Sequence, residues 1–325
     1  MDLIHGISVI MILLYLLCTT RYCNTTPRKM IIDTDAGGDD ALAIMLALMY
    51  ETKTHDIEIL AITATYGNTY LENVEQNVLK TLTIANRSDI PVYSGAYKPL
   101  INIYENNDYF GKDGFGDFNF TKNITPKVDK SKHASVRLVE LVRQYPGEIT
   151  IVTLGPLTTI ATAIALEPNF LHLLKQHVIM GSSIDSNTIE FNFQQDPESD
   201  WIALNNTNKP SVILPSDTIH ANSISKEEYR NIYSTLDDSI ASFLIQAERI
   251  ALQKTEMWEP ADGIAMASAL RPEIITKHYK TNLRPLIAGN ARGSVVQDNN
   301  QVCNAKIIQN FNVTAFKNLL LEYLS

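Results

Sequence analysis

Met30-Ile31-Ile32-Asp33-Thr34-Asp35-Ala36-Gly37-Gly38-Asp39-Asp40-Ala41 decides how the rest of this chain is read. An apolar run of the kind that forms a buried strand ends in four carboxylates within eight residues, and a helical pattern from Ala41 to Leu48 follows at once. Acids crowded at one strand end repel each other and resist desolvation unless something positive sits among them. A hard divalent cation with oxygen ligands is the simplest neutraliser. Gly37 and Gly38 let the backbone turn tightly, so the acids can converge. The plainer alternative is a solvated acidic turn capping the helix, since Asp is favourable near a helix N-terminus. Capping needs one Asp, however, and not four after a buried strand.

Outward from this unit the same alternation continues. Ile57 to Tyr66 reads as a nearly continuous apolar strand ending in Gly67-Asn68, and Leu71 to Ala85 as a helix. Pro91 to Ser94 is a short strand. Residues 98–127, rich in Asn, Gly, Asp and aromatics, read as a long mobile loop over a site. A helix from His133 to Tyr145, a buried strand from Ile149 to Leu154 closed by Gly155-Pro156, and strands at 177–180 and 211–214 follow. The last third is more helical (236–254, 262–270, 313–324), with a strand pair expected between Leu283–Ala288 and Lys306–Phe311. The pattern predicts an α/β fold with a mainly parallel central sheet flanked by helices, a Rossmann-like open sheet. Ligands of such sheets bind at the carboxyl ends of strands. Asp33 to Asp40, Asn68, Leu154-Gly155, Met180 and Asp217 all fall at those ends.

The 325 residues are 45% hydrophobic, enough for a large core, and the formal charge of −9 argues against nucleic acid as a partner. No repeat or low-complexity tract interrupts the chain. Ile7 to Cys18 is an apolar run of signal-peptide length, too short to span a bilayer, so residues 1–23 are expected to be a cleaved signal and 24–325 one continuous domain. A short membrane anchor is the alternative, because the flank is only weakly charged. Six Asn-x-Ser/Thr triplets, at Asn24, Asn86, Asn119, Asn123, Asn205 and Asn312, agree with export. Three cysteines exclude a disulfide-built scaffold; whether Cys23 pairs with Cys303 stays open.

The Asp-x-Asp-x-Thr pattern of haloacid dehalogenase-type phosphotransferases does not fit, since Asp35 is followed by Ala36-Gly37 and the paired Asp39-Asp40 has no role there. The string instead resembles the Asp-x-Asp-x-Gly-x-Asp-Asp signature of the inosine-uridine nucleoside hydrolases, with Ala36 where a Pro is usual. Further likenesses follow in order: Tyr66-Gly67-Asn68, the Gly-rich Gly111 to Gly116, Leu154-Gly155-Pro156-Leu157-Thr158, Met180-Gly181, Glu190-Phe191-Asn192, Asp196-Pro197-Glu198 and Asp262. They cover roughly residues 29–325, and point to a secreted eukaryotic, insect-like nucleosidase.

The resemblance implies Ca2+ held by Asp35, Asp40, Asp262 and the Leu154 carbonyl, with Asp35 also the base that takes a proton from water. It implies ribose held by Asp39, Asn68, Glu190 and Asn192 beside Met180, and Asp33 supporting the loop. The expected substrate is a small ribonucleoside; homo-oligomerisation is left open and stable membrane insertion is not expected. Two departures stand out. Ala261 replaces a His that protonates the leaving base in much of the family, and Phe110 replaces a His before the Gly-rich loop. Trp258, Tyr109 and Phe110 could stack on the base or simply pack; if Trp258 stacks, purines should be the better substrates. His133, His220 and His278 are expected to be structural. A catalytically silent protein that binds calcium and nucleosides outside the cell is the competing function.

Overall fold

The computed structural model describes residues 26–185, 188–205 and 209–325. The expected signal segment, Cys23 and Asn24 lie outside the described residues.

Seven strands appear in order through the first two thirds: β1 (Arg28–Thr34), β2 (Ile57–Ala64), β3 (Val92–Ser94), β4 (Val128–Asp129), β5 (Ile149–Thr153), β6 (Gln176–Met180) and β7 (Ser211–Leu214). Then come β8 (Ile224–Ser225), β9 (Met257–Trp258), β10 (Ile275–Thr281), β11 (Leu283–Pro285), β12 (Val295–Gln297) and β13 (Ala305–Phe311). Nine of them form one sheet in the order β10-β13-β7-β6-β5-β1-β2-β3-β4, in which every pairing is parallel except β10 with β13. The mainly parallel sheet flanked by helices is as the alternation predicted. Its central strands carry apolar runs because helices cover both faces; Ile31, Ile32, Ile151, Val152 and Ile213 are all buried.

The Gly38–Thr54 helix is enclosed nearly all round, every residue from Ala41 to Leu48 being buried, because it lies against the Ala261–Leu270, Asp238–Glu248 and Val313–Leu324 helices as well as β2. This central position fixes where its N-terminal acids point.

Two expectations change. The partner of β13 is β10, not Leu283–Ala288; Leu283–Pro285 forms a separate ribbon with β12. β10 is an edge strand with exposed Lys277, His278 and Lys280, so it lacks the apolar run that reveals a buried strand. The helix expected over 236–254 is two, Asp238–Glu248 and Ala251–Lys254, interrupted at Arg249-Ile250. There Arg249 reaches out to the carbonyls of Gly116 and Asp117. That contact, with Lys254 Nζ donating to the carbonyls of Asp108 (2.6 Å) and Tyr109 (2.9 Å), ties the long 98–127 loop to these helices.

Candidate active site

From β1 the chain builds one side of the sheet (β2, β3, β4), then returns through β5 to build the other. The crevice beyond the carboxyl ends of β1 and β5 is therefore the switch point where open α/β sheets take ligands. Two helices begin there, Gly38–Thr54 with Asp39 and Asp40 in its first turn, and Ala261–Leu270 with Asp262 in its first turn. Their positive dipole ends partly offset the acids. Carboxylate oxygens of Asp39, Asp40 and Asp262 lie within 4.8 Å of one another. The resemblance assigned Asp39 to ribose; the geometry also makes it a member of this acidic cluster. Asp35 sits beside the same three, its charge raising the proton affinity of Asp262.

Short local bonds aim these groups. Thr34 Oγ1 donates to Asp40 Oδ1 at 2.5 Å, and the Gly37 N–H and Asn68 Nδ2 donate to its Oδ2 at 2.8 and 3.1 Å. The Asn68 N–H donates to Asp35 Oδ2 at 2.7 Å. Asn68 thus braces two carboxylates at once. Asp33 lies below, accepts from the Thr63 hydroxyl, and is pushed up to about 7 by burial, which fits its expected supporting place. Ala36 adopts φ 36°, in the left-handed region. Proline, locked near about −65°, could not make that turn.

Asp35 is pinched between two motif glycines. A Cβ on Gly67 would lie 2.1 Å from Asp35 Oδ2, and one on Gly155 would lie 2.9 Å from its Cβ, Cγ and Oδ1. The glycines of Tyr-Gly-Asn and Leu-Gly-Pro therefore make room for this carboxylate. Gly155→Ala should displace it while leaving β5 in place; if Asp35 is a reacting group, the expected loss of any turnover is on the order of 10²-fold. A Gly155→Ala protein of unchanged kcat would mean that the position of Asp35 is not critical.

On the β5–β6 side, Asn192 Nδ2 donates to the Leu154 carbonyl at 2.6 Å and touches Met180 O and Sδ at 3.3 and 3.4 Å. A carbonyl has two lone pairs, so Leu154 can still meet a cation. Glu190 accepts from the N–H groups of Asn192 (2.9 Å), Phe193 (3.0 Å) and Ser182 (3.0 Å), capping the Phe191–Gln195 helix. Burial raises it to about 7. Its structural task was not visible in the sequence, where it read only as a ribose ligand. Asn68, Leu154, Met180, Glu190 and Asn192 nevertheless all line one cavity with Asp39 and Asp262.

That cavity measures about 410 Å³, within the range for small-molecule sites. Its other wall is more apolar and includes Tyr109, Phe110, Leu252, Met257, Trp258 and Ala261. Three residues of the 98–127 loop, Asn107, Tyr109 and Phe110, line this cavity. Trp258 is only 2% exposed. Its indole N–H donates to Glu248 Oε1 at 3.0 Å, and its ring meets Tyr229 and Tyr233 edge-on at 5.0 and 5.6 Å. Packing thus occupies most of this ring, whatever part of it faces a ligand. Glu248 escaped the sequence reading. It is buried, accepts from Tyr233 OH at 3.0 Å, and burial pushes it up to about 7. Its place on the apolar side of its helix, four residues after Leu244, was the available signal.

Of the three histidines set aside as structural, His133 caps the Ala134–Gln144 helix and His278 is exposed on β10. His220 differs: it lines the cavity, paired with Glu259.

The donor set at the strand ends suits a hard cation. Among the described residues, Asp35 Oδ1 and Asp262 Oδ1 are buried without a hydrogen-bond partner. Burial holds Asp35, Asp39, Asp40 and Asp262 above the usual carboxylate range, and neighbouring carboxylates add to this for Asp35, Asp39 and Asp262. Something positive would relieve both conditions.

The fold and site define a class: an open parallel α/β protein with an oxygen-only acidic centre at its switch point. A family model for inosine-uridine preferring nucleoside hydrolases matches residues 30–318, and the chain belongs to that family. It is 37% identical over 185 residues to the inosine-uridine preferring nucleoside hydrolase of Leishmania major, a match covering 55% of this chain and 57% of that one. Against the pyrimidine-specific ribonucleoside hydrolase RihA of Escherichia coli O1:K1 / APEC it is 30% identical over 264 residues, covering 76% and 81%. The solved structure of an inosine-guanosine nucleoside hydrolase superposes with a TM-score of 0.81 at 26% identity, over 91% of this chain and 98% of that one. The chain spans about half the length of the first curated relatives it matches, 51% to 57% of each.

Proposed function

We propose that this protein hydrolyses the N-glycosidic bond of ribonucleosides to free base and ribose, with a calcium ion in its acidic centre. The observation that carries the reading is the meeting of Asp39, Asp40 and Asp262 within 4.8 Å, with Asp35 beside them, next to a nucleoside-sized cavity that Asp39 and Asp262 line; Oδ1 of Asp35 and of Asp262 lack a partner among the described residues. Ca2+ held by Asp35, Asp40, Asp262 and the Leu154 carbonyl would neutralise the cluster and acidify a water molecule.

The chain's own groups then have distinct tasks. Asp35, steadied by the Asn68 N–H, accepts the proton of the attacking water at its unpartnered Oδ1. Asp39, Asn68, Glu190 and Asn192 line the sugar end and orient the ribose hydroxyls. The anionic surroundings stabilise the oxocarbenium-like sugar as the bond to the base stretches. Apolar and aromatic walls receive the base. Purine nucleosides such as inosine are favoured and uridine is the second candidate; the named relatives span both classes.

Ala261 favours a second reading, a silent nucleoside-binding protein. Incubation of the purified chain with inosine, guanosine, adenosine and uridine, with free base resolved by chromatography, separates the two: an enzyme releases base in a chelator-sensitive way, a silent protein releases none.

Secretion belongs to the same proposal: a signal over residues 1–23, then the catalytic domain 24–325. Asn86, Asn119, Asn123, Asn205 and Asn312 are all exposed, as glycan acceptors must be. Among the described residues no helix is long and apolar enough to cross a membrane. Mass analysis of protein from a eukaryotic secretory host should show an N-terminus near residue 24 and added glycan; an intact Met1 on cell-retained protein would overturn this.

A further inference from the structure

We propose that His220, oriented by Glu259, is the group that hands a proton to the departing base. The two residues come from different elements. His220 lies on the Ser216–Ala221 helix after β7, and Glu259 directly follows β9. The antiparallel ribbon pairs Ile224 with Trp258 and Ser225 with Met257, folding these segments together. His220 Nδ1 then stands 2.9 Å from Glu259 Oε2. A carboxylate can only accept, so Nδ1 carries the hydrogen, and Nε2 is the nitrogen that can act on a ligand. The same carboxylate fixes the orientation of the ring.

Both residues line the cavity that contains Asp39 and Asp262, and Glu259 directly follows Trp258, another lining residue, two positions before Ala261. The His220 side chain is 57% exposed, so the pair is not a core support and can be reprotonated from solvent. Glu248 also lines the cavity. It is 3% exposed and already accepts from Trp258 and Tyr233, which makes it a brace for the aromatic cluster.

The assignment rests on the nucleosidase reading and supplies the step that Ala261 cannot. As the C1′–N bond breaks, its electron pair goes to the base nitrogen, which takes the proton from His220 Nε2. Water gives its oxygen to C1′ and one proton to Asp35. Asp35 later releases that proton and His220 gains one from solvent, so the net change is addition of one water.

The test compares inosine with p-nitrophenyl riboside, whose phenolate leaves without being protonated. His220→Gln should lower kcat for inosine on the order of 10²–10⁴-fold and cost far less with the aryl riboside. Glu259→Gln should show the same selectivity with a smaller loss. Equal losses on both substrates, or unchanged inosine turnover, would overturn the assignment. So would a selective loss in Glu248→Gln that His220→Gln lacks. A wild-type chain that cleaves neither substrate overturns the nucleosidase reading and this assignment with it.

Discussion

Asp35→Asn is expected to lower kcat and kcat/KM together by on the order of 10²–10⁴-fold, with KM little changed, because the proton acceptor matters only as the bond breaks. Folding should survive the change. Asn has nearly the same volume, and its amide oxygen can accept the Asn68 N–H that now meets Asp35 Oδ2 at 2.7 Å. One of four mutually repelling acids is also removed, so the metal-free protein should melt no lower than wild type. Steady-state kinetics with a thermal melt read both outcomes. Near wild-type kcat would take the base role away from Asp35, whereas a collapsed melt would show that its charge is needed for folding.

Removing divalent ions should destabilise the protein, and more so as pH rises. Burial pushes Asp33, Glu190 and Glu248 up to about 7. It also holds Asp35, Asp39, Asp40 and Asp262 above their ordinary range. The folded chain thus keeps protons that the unfolded chain releases at lower pH. The resulting stability is complete below the ordinary carboxylate range and lost as pH rises through the folded values, at about 1.4 kcal/mol per carboxyl per pH unit. A bound cation takes the place of those protons in the cluster, contributing about 4 kcal/mol at a thousandfold excess over Kd. Tm of chelated protein should therefore fall between about pH 5 and pH 8, and the gap to the calcium-saturated protein should widen over the same interval. If added calcium leaves Tm unchanged at the upper end, the acidic cluster is not a calcium site.

The sequence by itself determined the frame and half of the site. Strands buried on both faces carry apolar runs, so β1, β2, β5, β6 and β7 are visible. Acids placed directly after such runs must collect at one sheet edge, which is why Asp35, Asp39, Asp40, Asn68 and Leu154 could be picked out from local pattern and family resemblance. What escaped depends on contacts rather than on residue pattern. β10 pairs with β13 through backbone bonds at an exposed edge, where side chains carry little pattern. Glu190 spends its carboxylate on three N–H groups of its own loop, a use that no spacing announces.

The other half of the site was decided only by tertiary structure. Glu248 and Trp258 acquire their meaning from each other, and His220 from Glu259, 39 residues away. A histidine in a short helix has no intrinsic role; a carboxylate on one nitrogen and a cavity beside it give it one. Likewise Gly67 and Gly155 look like ordinary turn glycines until the fold brings Asp35 against both. Hydrophobic periodicity is local and survives in one dimension, whereas hydrogen bonding, charge proximity and close packing exist only between surfaces that the fold has brought together.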